Sequence, residues 1–123
     1  MSEEIPADIR SFIARYIDSV AQLEALLLLR AGPSEGWSAE KVAQRLYTTR
    51  TDCEHVLARL CDDGLLSCSD GIYRYDCEAM LAAAVDRLAV AYRRQLIPIT
   101  NLIHAKPRRI REFADAFKLK RES

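Results

Sequence analysis

Glycine is scarce in this chain, with four residues in a total of 123. So few glycines leave little material for a loop that cradles a phosphate group or a cofactor, and no glycine-rich phosphate-binding motif is present. The sequence also lacks a histidine-rich cluster or a pair of carboxylates that a fold would bring together for acid–base chemistry. We therefore expect no enzyme activity and no bound cofactor.

Long apolar runs are also missing. The longest candidate, Leu23–Leu29, is short and contains Glu24, so we expect no segment that spans a membrane. The first residues, Met1–Glu4, are acidic and polar, whereas a secretory signal opens with basic residues followed by an apolar run. These features predict a cytoplasmic protein.

The four cysteines form no C-x-x-C pair. They are Cys53, Cys61, Cys68 and Cys77, and their spacings of 8, 7 and 9 residues match no zinc-binding module. In a reducing cytoplasm such residues are thiols that pack as small apolar groups. The sequence therefore predicts neither a metal site nor a disulfide.

Charge is balanced overall but unevenly distributed. Residues 1–80 contain 8 Lys/Arg and 14 Asp/Glu, whereas residues 81–123 contain 10 Lys/Arg and 4 Asp/Glu. A protein that binds a polyanion needs a basic face, and only the C-terminal third offers one by composition.

The N-terminal part has two helical patterns. After Pro6, apolar residues recur with helical spacing at Ile9, Phe12, Ile13, Tyr16 and Ile17. Ser19–Gln22 has the form of a capping box, which predicts a break near Asp18–Ser19. The pattern predicts either two helices or one long kinked helix, which ends at Ala31–Pro33, where glycine followed by proline is a strong stop.

The middle of the chain predicts two short helices and a hairpin. Ser38 is a suitable N-cap for the first helix, and Thr51–Glu54 is a complete capping box for the second, which Gly64 should end. Two β-prone runs, Leu65–Cys68 and Ile72–Tyr75, flank an Asp-Gly pair that is typical of a hairpin turn.

A long helix should open at Asp76 or Cys77, and Pro98 should kink or interrupt it. Its apolar residues fall close to a seven-residue repeat, at Leu81, Val85, Leu88, Tyr92, Ile99 and Leu102. Pro107 should begin a last helix with an apolar side formed by Ile110, Phe113, Ala114 and Phe117. The apolar stripes before and after the central unit exceed what that unit can bury, so we expect a homodimer.

The order of these elements resembles a winged helix-turn-helix. The segments that carry the resemblance are Gln22–Leu29, Trp37–Leu46, Cys53–Leu60 and Asp63–Leu66. The chain is similar in layout to bacterial regulators of the multiple-antibiotic-resistance type, in which helices flanking the winged unit form a dimer interface. It also resembles a type of small uncharacterised proteobacterial protein with a similar Phe113–Phe117 segment.

The resemblance implies a mainly α fold with a small β-hairpin in one domain. Its parts are an N-terminal helix (5–18), the winged helix-turn-helix (19–75), a long helix (76–104) and a basic C-terminal helix or tail (105–123). It also implies double-stranded DNA as a partner, with the helix that begins near Thr51 entering the major groove. The candidate DNA contacts are Thr48, Thr49, Arg50, Asp52, His55, Arg59, Arg108 and Arg109.

A second interpretation stays open, because winged helices also serve as protein-interaction modules without DNA binding. Residues Ser38–Tyr75 contain 5 basic and 6 acidic residues, and the wing tip, Ser67–Gly71, has no Lys or Arg. The basic C-terminal segment has three interpretations. It is a solvated tail whose aromatic residues pack on the core, an arm that contacts phosphates, or a helix that docks an acidic protein partner.

Overall fold

The computed structural model describes residues 4–106. This part of the chain forms six helices and a three-stranded sheet, which confirms the predicted mainly α fold with a small β-hairpin. In chain order the elements are α1 (Ala7–Tyr16), α2 (Val20–Ala31), β1 (Trp37–Ser38), α3 (Ala39–Leu46), α4 (Arg50–Asp62), β2 (Leu66–Ser69), β3 (Ile72–Tyr75), α5 (Ala79–Arg94) and α6 (Leu96–His104).

Some of the sequence predictions fall beyond these residues. The helix expected from Pro107, its apolar side, and the candidate contacts Arg108 and Arg109 all lie outside the described part of the chain. Within residues 4–106, no helix combines the length and the apolar character needed to cross a membrane.

Side-chain caps define where three helices begin. The Ser19 hydroxyl accepts a hydrogen bond from the Gln22 N–H at 3.1 Å, and the Ser38 hydroxyl accepts one from the Lys41 N–H at 3.1 Å. Both predicted caps are thereby confirmed, as is the break between the first two helices. Each bond satisfies one of the N–H groups that a helix start leaves unpaired.

The predicted cap of α4 at Thr51 is wrong, because Thr49 takes that position. The Thr49 hydroxyl accepts from the Asp52 N–H at 3.0 Å, while Thr51 is already inside the helix. Two capping patterns overlap here, two residues apart. The earlier start adds Arg50 to the helix, where its Nε pairs with Glu54 Oε2 one turn later at 3.1 Å.

The predicted hairpin is confirmed. Ser69 pairs with Ile72, and the two residues between them, Asp70 and Gly71, have φ angles of 54° and 76°. Positive φ at both central positions is the geometry of the tight turn that Asp-Gly favours. Gly64 also has a positive φ and follows the end of α4, as expected.

A third strand completes the sheet, and the sequence analysis did not predict it. The two-residue β1 pairs with β3, which gives the order β1-β3-β2. A Cβ added at Gly36, just before β1, would lie 2.6 Å from Cγ2 of Ile72. Glycine at this position is therefore what allows the loop to approach the hairpin so closely.

The predicted long helix is interrupted, but at Gln95 and not at Pro98, and it begins at Ala79, after the expected residues. A proline inside a continuous helix clashes with the carbonyl of the residue four positions earlier, which here is Arg94. Because the break falls at Gln95, Pro98 occupies the first turn of α6, where its missing N–H costs no helical bond.

The apolar stripes outside the winged unit are largely buried within one chain. Four of these residues are fully buried: Ile13 in α1, Ile17 just after α1, Leu88 in α5 and Ile99 in α6. The break at Gln95 lets α6 contact both α5 and α2, while α1 packs along α5. The expectation that these stripes need a second copy to cover them is therefore wrong.

Candidate nucleic-acid interface

The turn between α3 and α4 sets the geometry of the candidate interface. Tyr47 ends α3 in the left-handed conformation, with φ 57° and ψ 46°, and the Thr48 N–H donates to the Ala43 carbonyl at 3.0 Å. A left-handed residue other than glycine costs about 1 kcal/mol. The close packing of α3 against α4 offsets this cost, and the turn needs only three residues.

Five predicted DNA contacts lie together at the start of α4. Thr49, Arg50, Asp52 and His55 are exposed, and Thr48 is half-buried beside them. The Arg50 side chain is 69% exposed and pairs with Glu54 along the same helix. The Thr49 hydroxyl accepts the capping bond, which leaves its own proton available to donate.

Arg59 is separated from this group. It lies nine residues further along α4 than Arg50, which corresponds to about 13 Å along the helix axis. Its guanidinium pairs with Asp63 at 3.2 Å and with Asp18 at 3.3 Å. The structure therefore places Arg59 among carboxylates at the far end of the helix.

The wing offers hydroxyl groups but no cation at its tip. Ser67, Ser69 and Asp70 are exposed. Arg74, the basic residue of β3, donates from Nη1 to the Ser34 carbonyl at 2.9 Å, across to the loop before β1. That contact fixes the loop to the sheet and directs the charge of Arg74 away from the tip.

Sequence reasoning missed one exposed residue at the candidate interface. Tyr47 is 96% exposed in the turn that leads into α4, and nothing in the described residues packs over it. A tyrosine hydroxyl is a frequent donor to phosphate oxygens. The available signal was the aromatic residue itself, in a turn that is otherwise polar.

All four cysteines are free thiols, but the expectation that they pack as buried apolar groups holds fully for Cys53 alone, since Cys61 and Cys77 are half-buried and Cys68 is exposed. Burial and the neighbouring Cys68 thiol raise the pKa of Cys61 to about 11, and burial raises the pKa of Cys53 as well. Both thiols on α4 are therefore protonated near neutral pH. Within residues 4–106, no group of three or more His, Cys, Asp or Glu side chains is placed to hold a metal ion.

One short motif resembles a hydrolase signature by its letters alone. Gly32–Gly36 has the spacing G-x-S-x-G, in which the central serine of a hydrolase sits between a strand and a helix. Here the segment joins the end of α2 to β1. Ser34 is exposed in this loop, and its backbone carbonyl accepts a hydrogen bond from Arg74. The strand–turn–helix context that activates such a serine is therefore missing.

Comparison with known proteins identifies the fold. A solved structure of a MarR family protein from Mycobacterium tuberculosis is 19% identical, with a TM-score of 0.57 over 94% of this chain and 83% of that one. The M. tuberculosis transcriptional regulator MosR is 20% identical, with a TM-score of 0.52 over 84% of this chain and 76% of that one. No family model matches the chain, and a search of curated proteins found no match. These likenesses confirm the predicted winged-helix layout.

Proposed function

We propose that this chain is a DNA-binding transcriptional regulator that acts as a homodimer and places the start of α4 in the major groove. The observation that carries the proposal is the cluster of exposed polar side chains at the start of α4, held against α3 by a three-residue turn. In helix-turn-helix proteins the N-terminal residues of the second helix contact base edges. The structural likeness to MosR, a transcriptional regulator, supports this proposal.

Each residue at this end of α4 has a chemistry suited to DNA. Arg50 can bind guanine in a bidentate manner or pair with a phosphate. Thr48, Thr49 and Tyr47 carry hydroxyl groups that donate to phosphate oxygens, and His55 presents a ring nitrogen one turn further along. Asp52 can accept from the amino group of cytosine. Arg108 and Arg109 are proposed as additional phosphate contacts.

The proposed homodimer needs an exposed apolar surface, and α5 and α6 provide one. Val90, Leu96 and Ile97 remain exposed in the single chain, with Ile97 at 63%. Beside them lies a groove of about 400 Å³, whose lining combines the apolar residues Pro6, Ile9, Val90 and Ala91 with the polar and charged residues Asp8, Asp86, Arg87, Arg94 and Gln95. A second copy that covers this surface would also double the number of basic groups facing DNA.

A second candidate function is a protein-interaction module, and the charge of the winged unit favours it. Residues 19–75 contain eight acidic and six basic residues. Arg50 and Arg59 are paired with carboxylates, and so is Lys41, whose Nζ lies 3.3 Å from Glu35 Oε2. Phosphate neutralisation supplies most non-specific DNA affinity, and paired cations supply less of it.

The decisive experiment starts from a random DNA library. Duplexes are selected against the full chain, and binding is then measured for a selected and a scrambled duplex at several salt concentrations. We expect the selected duplex to bind at least a hundredfold more tightly, since specific binding normally exceeds non-specific binding by ~10³-fold or more. No enrichment after repeated selection would contradict the proposal and favour the interaction module.

A further inference from the structure

A row of four alternating charges connects three parts of the fold. It consists of Lys106 after α6, Asp18 between α1 and α2, Arg59 near the end of α4, and Asp63 just after α4. We call this row the ion chain. Within this row, the ion pair between Arg59 and Asp18 joins the C-terminal end of α4 to the turn between α1 and α2.

Lys106 anchors one end of the ion chain. Its ammonium donates to the carbonyls of Ile13 at 3.0 Å and Ile17 at 2.8 Å, and to Asp18 Oδ1 at 3.0 Å. Ile13 lies in the last turn of α1 and Ile17 caps its C-terminus, where a helix carries partial negative charge; the Ile13 carbonyl also accepts the Ile17 N–H at 3.0 Å. The side chains of Lys106 and Asp18 are each only 17% exposed, so solvent screens this ion pair weakly.

Asp18 is held in place from its backbone as well. Its N–H donates to Gln22 Oε1 at 2.8 Å, and the buried Gln22 side chain donates in turn to the Tyr16 carbonyl at 2.8 Å. The turn between α1 and α2 is thereby fixed on both sides of Asp18. Its second oxygen, Oδ2, faces Arg59 Nη1 at 3.3 Å.

Arg59 has two carboxylate partners with different geometric consequences. Asp63 lies four residues later on the same helical path, so their pairing acts within α4. Asp18 lies 41 positions earlier in the chain, on a different structural element. A planar guanidinium can hold both carboxylates at once, which a lysine ammonium does less well.

We propose that Asp18 is a positioning residue for DNA recognition, which fixes the direction of α4 by holding Arg59 against the α1–α2 turn. This inference rests on the proposed function, since it concerns how the exposed start of α4 is aimed. Because Asp18 holds the far end of the helix, a small rotation there displaces Arg50 by a larger distance at the other end.

Charge alone predicts the opposite outcome, and this makes the proposal testable. Removing a carboxylate from a protein that binds a polyanion should strengthen its binding to any DNA. If Asp18 instead positions α4, removing its charge should weaken binding to the preferred sequence while binding to random DNA does not weaken. Asp63 provides a matched control, because it pairs with the same arginine and this ion pair stays within the path of α4.

The test compares Asp18→Asn with Asp63→Asn on a duplex selected against the wild-type protein and on a scrambled duplex. We expect Asp18→Asn to lower affinity for the selected duplex roughly threefold to tenfold, which lies within the range by which residues that touch neither ligand alter coupling. Asp63→Asn should leave that affinity unchanged or slightly higher. Equal effects of the two variants, or tighter binding of the selected duplex by Asp18→Asn, would overturn the proposal.

Two further measurements keep the test decisive. Arg59→Lys preserves net charge and should lower the preference for the selected duplex as Asp18→Asn does, so an unchanged preference would count against the proposal.

Residual dipolar couplings of the DNA-free protein report the direction of α4 relative to α2. They should change in Asp18→Asn and not in Asp63→Asn. If the wild type binds no DNA, the proposed function fails, while these couplings still decide whether Asp18 directs the helix.

Discussion

The two ends of α4 carry arginines with opposite surroundings. At the start, Arg50 is 69% exposed and its described ion pair is with Glu54 of its own helix. Near the end, Arg59 is 46% exposed and pairs with both Asp18 and Asp63, close in sequence to the fully buried Leu57 and Leu60. The same residue type thus has one ion pair within its own helix at one end, and at the other end an additional ion pair to a distant part of the chain.

This difference shows how a short helix can present side chains in a defined direction. The buried end supplies rigidity, because apolar burial and ion pairs fix it against α2 and the α1–α2 turn. The exposed end supplies polar groups whose hydrogen-bonding capacity is not exhausted. Binding groups carried on a rigid element are held more accurately than groups on a loop.

The largest effect should come from the buried side of α4. Leu57→Ala removes a side chain that is completely buried. We expect it to lower the free energy of unfolding by about 2–5 kcal/mol, the usual cost of such a cavity. Urea unfolding followed by circular dichroism measures this. His55→Ala, at an exposed position of the same helix, is the control and should change stability by less than ~0.5 kcal/mol.

The two arginines should separate direct contact with DNA from the anchoring of α4. Arg50→Ala should weaken binding to a selected duplex by about 1–3 kcal/mol and leave the melting temperature nearly unchanged. Arg59→Ala should lower the melting temperature, because Asp18 and Asp63 lose their shared partner. It should leave the salt dependence of binding unaltered, because Arg59 is not expected to contact phosphate. The comparison of the two ends would fail if Arg59→Ala lowered the salt slope by ~0.9, the value for one lost phosphate contact.

A smaller effect tests where α4 begins. Thr49→Ala removes the capping hydroxyl and should destabilise the protein by about 1 kcal/mol. Thr51→Ala, two residues later and already inside the helix, should change stability by less than ~0.5 kcal/mol. Denaturant midpoints of the two variants, measured side by side, provide the check. A larger loss for Thr51→Ala would mean that the helix starts later.

The smallest effect is a loss of stability at alkaline pH. The folded protein raises the pKa of Cys61 from 9.0 to about 11, chiefly by burial. Below pH 9 both folded and unfolded states keep this proton, so the contribution is constant. As pH rises from 9 to 11 the unfolded state loses the proton first, and stability falls. Unfolding free energies at pH 8 and pH 10 should therefore differ less in Cys61→Ala than in the wild type, and an equal difference would contradict the assignment.

The sequence predicted local features well. The caps at Ser19 and Ser38 depend on residues within four positions, and so does the Asp70–Gly71 turn. The start of α4 was misplaced because two capping patterns overlap, and only the pairing of Arg50 with Glu54 and the packing of the helix decide between them. The interruption of the long helix was foreseen from Pro98, but its position depends on the residues before the proline.

Contacts between distant parts of the chain were beyond the same reasoning. The sequence marked Arg59 as an outward residue of a DNA-reading helix, whereas its partner Asp18 lies 41 positions away and has no pattern that reveals it. The burial of the apolar stripes was missed for a similar reason, since it depends on α6 contacting α2 after the break at Gln95. Both cases require the tertiary arrangement and not the periodicity of one segment.

The hairpin is short, and this limits how much of a DNA site the chain can cover. Strands of four residues, β2 and β3, span about 13 Å, and the turn between them has only two residues. Under the proposed function, such a wing reaches no further than the backbone beside the groove that α4 occupies. The two α4 helices of a dimer would then contact major-groove segments about 34 Å apart, and radical cleavage of the minor groove between these segments would measure how far each wing extends.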